Sequence, residues 1–115
     1  MSLLKIILEF FGLRKSTPTE QKYVLKEFAN RKDATKAAEQ SGVVAIQQVG
    51  SVRKWAIFKC PCGCKETVAL NLMQSHYPSW KVEIKSSKDF SIHPSIDSTT
   101  CKAHYWIKHG LVVWC

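Results

Sequence analysis

Three cysteines fall within five positions, Cys60-Pro61-Cys62-Gly63-Cys64, and a fourth thiol follows far downstream in Cys101-Lys102-Ala103-His104. Thiols this close cannot all be packing residues, so they point to one shared centre. Zinc takes soft, deprotonated ligands at tetrahedral angles, and Pro61 and Gly63 supply the tight turn that Cys-x-Cys-x-Cys spacing requires. Two ligand sets satisfy the pattern. Either Cys60, Cys62, Cys64 and Cys101 form a closed four-thiolate site with His104 free, or His104 replaces one thiol; the first is preferred. A closed site of this kind is structural, so Zn2+ is expected as a structural ion. Lys59 and Lys65 flank the cluster and offset its negative charge, while Cys115 is a terminal bystander. The chain has no His-x-Glu with Pro-Cys-x-x-Cys, which the zinc deaminases need, and no His-Glu-x-x-His helix.

A metal suits a chain of this size. Its 115 residues, 45% hydrophobic, give a thin core that a metal bond would reinforce. The five cysteines cannot all pair, and no cleavable leader is visible, so the thiols read as reduced and the protein as cytoplasmic. The formal charge is +8; four thiolates (−4) and a zinc ion (+2) would bring it to +6. That favours an acidic partner or nucleic acid. The basic residues are scattered, with no run of five, so a solvated basic surface is expected rather than a nucleic-acid footprint. The apolar segment Leu3–Leu13 is too short to cross a bilayer and is expected to pack as a helix on the body or on a partner. No membrane partner is expected.

Local signals divide the chain. Thr17-Pro18-Thr19-Glu20 is a capping box, predicting a helix through about Ala29. A second helix is predicted from Asp33, as cap, to Gln40, with Gly42 as the stop. From residue 43 the pattern becomes strand-like: Val43–Ile46, Lys54–Lys59, Thr67–Leu72, Trp80–Lys85, a short strand at Phe90 and Ile92, and a hairpin of Tyr105–Ile107 with Leu111–Trp114. The expected class is α+β: a small, mainly antiparallel β-sheet domain stabilised by a zinc site, with N-terminal helices. Residues 1–42 form the helical segment and residues 43–115 the zinc-binding β-rich domain, together one structural unit.

Ahead of Cys101 stands His93-Pro94-Ser95-Ile96-Asp97. Pro94 fixes the backbone before Ser95, and His104 follows a metal ligand by three residues. A serine held against such a histidine can act as a nucleophile with its general base. The spacing alone does not bring the two together.

Cys60-Pro61-Cys62-Gly63-Cys64 after a strand, Ser91-Ile92-His93-Pro94-Ser95-Ile96, Cys101-Lys102-Ala103-His104-Tyr105-Trp106-Ile107 and a Gly110…Trp114 ending resemble a family of small bacterial proteins, the domain-of-unknown-function 6527 family. The resemblance covers residues 55–115 well and residues 1–40 poorly. It implies zinc ligands at Cys60, Cys62, Cys64 and Cys101, and a catalytic pair of Ser95 and His104. It also implies an operon context with ubiquitin-like, E1-like and E2-like proteins, in some cases linked to phage defence. The implied activity is that of a serine protease or deconjugase that trims or removes a ubiquitin-like protein from its precursor or conjugates. Ala103 stands where the family often has a serine, so that position cannot be the nucleophile here. His93 adds a second candidate base. Asp97 or Glu83 would orient His104. The rival readings are a non-catalytic zinc module that recruits ubiquitin-like conjugation partners through Trp55, Trp80, Trp106 or Trp114, and a zinc-ribbon nucleic-acid binder.

Overall fold

The computed structural model of the chain describes residues 22–98 and 101–115. The apolar segment 3–13 and the capping box at Thr17 lie outside the described residues. Two four-stranded sheets make up the fold. Sheet 1 has the order β1-β2-β3-β4, with β1 at Val24–Phe28, β2 at Val43–Val49, β3 at Val52–Lys59 and β4 at Thr67–Asn71. Sheet 2 is the meander β5-β6-β7-β8, with β5 at Lys81–Ile84, β6 at Phe90–Asp97, β7 at His104–Lys108 and β8 at Leu111–Trp114. All pairings are antiparallel except β1 with β2. A parallel pair needs a crossover of a dozen or so residues, and residues 29–42, carrying helix α1 (Arg31–Ala37), supply it.

The expected α+β sheet with N-terminal helices is therefore corrected to a mostly β fold with one short helix among the described residues. The helix predicted through Ala29 is replaced by β1 over Val24–Phe28. Tyr23 and Leu25 are both buried. Residues two apart share one face of a strand but lie on opposite sides of a helix, so burying both against one sheet selects the strand. The second helix starts earlier than expected, because Asn30 caps it: its side-chain oxygen accepts from the Lys32 and Asp33 N–H groups at 2.6 and 3.2 Å.

The sheets pack face to face. Val44, Ile46, Ala56, Phe58 and Leu70 of sheet 1 meet Phe90, Ile92, Ile96, Tyr105, Ile107 and Val112 of sheet 2 in one buried cluster. Full burial of each large aliphatic or aromatic side chain contributes roughly 1.5–3 kcal/mol. The other face of sheet 1 carries α1, where Ala45 and Ile57 meet Ala34 and Ala38. Small residues on both sides let the helix sit close, and Arg31 lies 4.4 Å over the Trp55 ring. Burial on both faces explains why Val43–Ile46 is a continuous apolar run rather than an alternating one.

The sequence suggested only a short strand at Phe90 and Ile92, but β6 continues through Pro94 to Asp97. Its register against β7 shifts between Ile92↔Ile107 and Ile96↔Tyr105. Proline cannot donate to a ladder, and the irregularity absorbs it. The His93–Pro94 peptide in this stretch is cis.

Candidate active site

The β3–β4 connection holds three of the cysteines. Its ends are closed by Cys60 N–H to Glu66 O at 2.9 Å, and Gly63 N–H turns back to Cys60 O at 3.4 Å. Gly63 has φ 93°, a left-handed conformation that suits glycine, and Lys65 follows at φ 67°. The β6–β7 connection brings Cys101, pinned by Ser98 N–H to Ala103 O at 2.7 Å. The Sγ atoms of Cys60, Cys62, Cys64 and Cys101 all lie within 4.8 Å of one another. Cys60 Sγ is 3.4 Å from Cys62 Sγ and 3.5 Å from Cys101 Sγ.

Four sulfurs around zinc, with bonds of about 2.3 Å, would stand about 3.8 Å apart. The donor set and its spread therefore fit a four-thiolate metal centre. His104 is not in the group, and neither is Cys115. The centre would tie a loop of sheet 1 to a loop of sheet 2.

The thiols are not equivalent. Burial pushes the Cys60 thiol up. Hydrogen bonding to Ser98, then to the Ala103 backbone, brings Cys101 down to about 6; its Sγ is 3.3 Å from Ser98 Oγ. Behind the cluster, the Tyr105 hydroxyl is buried without a hydrogen-bond partner among the described residues. Burial holds it protonated.

The same β6–β7 connection separates Ser95 from His104. Asp97 pairs in register with His104, so Ser95, two residues back on the same face of β6, lies diagonally across from it. Ser95 Oγ is 2.9 Å from His104 Nε2. Ser95 is half-buried, while His104 is exposed. The indole N–H of Trp80 donates to the Ser95 carbonyl at 3.3 Å, fixing the main chain that carries the hydroxyl.

The other sequence candidates fall elsewhere on this face of sheet 2. His93 Nε2 lies 3.5 Å from Glu83 Oε1, so Glu83 faces His93 and not His104. His93 also meets the Trp106 ring edge-on at 6.4 Å. Among the described residues the histidine–carboxylate contacts are His93–Glu83 and His109–Asp89, and neither involves His104. Trp80 and Ser98 were not singled out for these roles from sequence. Trp80 was read as a strand residue or interface aromatic, and Ser98 has no distinguishing signal beyond its place three residues before Cys101.

No helix among the described residues is long and apolar enough to cross a membrane. No curated protein and no solved structure matches the chain. A family model does match, over residues 30–115, which takes in both sheets from β2 onward, the thiol cluster, Ser95 and His104. The chain thus belongs to the family described as bacterial ubiquitination-like system serine protease (BubE).

Proposed function

We propose that this protein is a zinc-stabilised serine protease that cleaves a ubiquitin-like protein from its precursor or from its conjugates, with Ser95 as nucleophile and His104 as general base. The observation that carries the reading is the 2.9 Å contact between Ser95 Oγ and His104 Nε2 in a chain of a serine-protease family. Neutral imidazole accepts the Ser95 proton as Oγ attacks the carbonyl carbon at the end of the modifier. The C–N bond of the tetrahedral adduct then breaks, and His104 returns the proton to the departing amine. Water, deprotonated by the same imidazole, releases the acyl group and restores Ser95. The Trp80 indole keeps the Ser95 main chain in place throughout.

Glu83 is engaged by His93, and among the described residues no carboxylate forms an ion pair with His104, so Ser95 and His104 act as a pair. Zinc, held by Cys60, Cys62, Cys64 and Cys101, supplies a cross-link between the two loops rather than chemistry. Free thiols in this number suit a reducing compartment, the cytoplasm. The partners are the ubiquitin-like protein and its conjugates, with E1-like and E2-like proteins acting in the same system.

A fluorophosphonate probe tests this. The wild type is expected to label, and Ser95→Ala and His104→Ala to lose labelling by a factor of about 10³ or more while retaining zinc and fold. Absence of labelling in zinc-loaded wild type would instead favour a non-catalytic module that recruits conjugation partners.

A further inference from the structure

Two strand edges next to Ser95 carry main-chain groups with no partner among the described residues. In an antiparallel pair, alternate residues exchange both hydrogen bonds and the others point away. Cys60 N–H bonds Glu66 O, and Leu72 N–H bonds Lys54 O, each at 2.9 Å. Residues 66, 68, 70 and 72 therefore face β3, and Thr67, Ala69 and Asn71 face outward from the edge of sheet 1. The Asn71 carbonyl is taken by Trp80 N–H at 2.8 Å; Thr67 and Ala69 have no such cover.

The same argument applies to β6. Ser98 N–H bonds Ala103 O, so Ser98 and Ile96 face β7, while Ser95 and Asp97 face the other way. Strand β5 covers that side only as far as Lys81↔His93. The Ser95 carbonyl receives the Trp80 indole, and Asp97 is left open. Between the two edges lies a cavity of about 240 Å³ bounded by Thr67, Ala69, Trp80, Ile96 and Asp97. Trp80 bonds both edges, through its main chain to β4 and its ring to β6, and so ties the two sides of the slot together beside Ser95.

Glu66 and Asp97, both exposed, also line this slot. On a chain of net charge +8, two carboxylates at one slot select for a cation. The nearby Lys59 ammonium is already engaged by Thr67 Oγ1 at 3.0 Å and Lys65 O at 3.4 Å.

We infer that the slot between β4 and the open end of β6 binds an extended, arginine- or lysine-bearing segment of the protein substrate by strand addition. The segment pairs with the outward main chain of Thr67 and Ala69, its basic side chain meets Glu66 and Asp97, and the chain is led toward Ser95. Unpaired strand edges give affinity through main-chain bonds, and the pocket chemistry gives selectivity. The inference rests on the protease reading above and specifies how its substrate is held.

The test uses the full chain and two fluorescein-labelled nonapeptides of one strand-forming sequence, one carrying two arginines and the other glutamates at the same positions. Fluorescence anisotropy is expected to show binding of the arginine peptide and at least tenfold weaker binding of the glutamate peptide. Ala69→Pro removes an outward N–H without touching the β3 ladder, because the Ala69 N–H does not face β3, and it is expected to weaken Kd at least tenfold. Glu66→Lys changes only an exposed side chain and decides the matter if Ala69→Pro does not fold; the same tenfold loss is expected. Fluorophosphonate labelling of Ser95 should persist in both variants. No binding of the arginine peptide, or wild-type affinity in the folded variants, overturns the slot. Loss of labelling in the wild type overturns the protease reading and leaves the binding result to judge the slot by itself.

Discussion

The pairing of β6 with β7 has two ends, each with a serine and a histidine, and they are built differently. At the far end, His109 Nδ1 meets Asp89 Oδ1 at 2.9 Å, and the His109 main-chain N–H donates to Ser91 Oγ at 3.0 Å. Gly110 closes that end with main-chain bonds, its N–H to Phe90 O at 2.7 Å and its carbonyl from Tyr23 N–H at 2.8 Å. A Cβ on Gly110 would stand 2.6 Å from the Lys88 carbonyl oxygen, so the close approach requires glycine. At the near end, Ser95 and His104 meet through side chains, and the loop between them is held by Cys101. One histidine has a carboxylate but no serine hydroxyl to activate; the other has the hydroxyl. The far end is closed by the backbone, whereas the loop of the near end carries Cys101, one of four cysteines close enough together to hold a metal ion.

Metal removal should therefore separate the ends. A zinc bridge between Cys60 and Cys101 would restrain two loops from different sheets, and structural zinc binding is coupled to folding free energy. On chelation, amide exchange at Ile96 and Tyr105 is expected to speed up by about 100-fold or more, while that at Tyr23 and Gly110 changes by less than about tenfold. The melting temperature should fall by about 10 °C or more. Equal loss of protection at both ends would break the comparison and make the cluster a support for the whole fold.

Much of the near end could be read in the sequence, for reasons specific to its chemistry. Cysteines at Cys60, Cys62 and Cys64 have few uses other than a shared centre, and the structure gathers them with Cys101. The meeting of Ser95 with His104 was not in the spacing. It depends on the register of β6 against β7 beyond the irregularity at residues 93–95, and the resemblance, not periodicity, pointed to it. A strand such as Thr67–Asn71 was legible because its alternation reflects one buried face. The division into two sheets was not, since alternation says which face is buried and not which strand lies beside it. Strand β1 was hidden by strong local helix signals that a parallel partner overrode. Trp80 looked like any strand tryptophan; only its hydrogen bonds to β4 and β6 single it out.

Thiol reactivity sharpens the contrast within the near end. In metal-free protein at pH 7, Cys101, brought down to about 6 by Ser98, is mainly thiolate, whereas burial keeps Cys60 protonated. The thiolate is the nucleophile, so iodoacetamide should modify Cys101 about tenfold or more faster than Cys60, read by peptide mass mapping. Between pH 7 and pH 5 the Cys101 rate should fall about tenfold, as its thiolate fraction does. The sign for stability follows: Cys101 favours the metal-free fold increasingly from about pH 6 toward its ordinary value of 9.0, and this is lost as pH falls through 6. Zinc should protect both thiols. Equal rates at the two cysteines without metal would remove the distinction.

The smallest effect belongs to the far end. Asp89 and His109 expose 44% and 68% of their side chains, so their contact is a surface pair worth about 0–1 kcal/mol. Asp89→Asn keeps an acceptor oxygen for the His109 Nδ1–H and should leave Tm within a few degrees of wild type. Fluorophosphonate labelling should stay within about twofold, because the hydrogen bonds of the Asp89–His109 pair run to each other and to Ser91, not to Ser95 or His104. That makes the far end a control built into the same two strands: a histidine with an orienting carboxylate, on the same sheet, that should be dispensable for acyl transfer. A collapse of labelling in Asp89→Asn, with zinc and fold retained, would mean that the two ends act as one site and would require the Ser95–His104 assignment to be redrawn around His109.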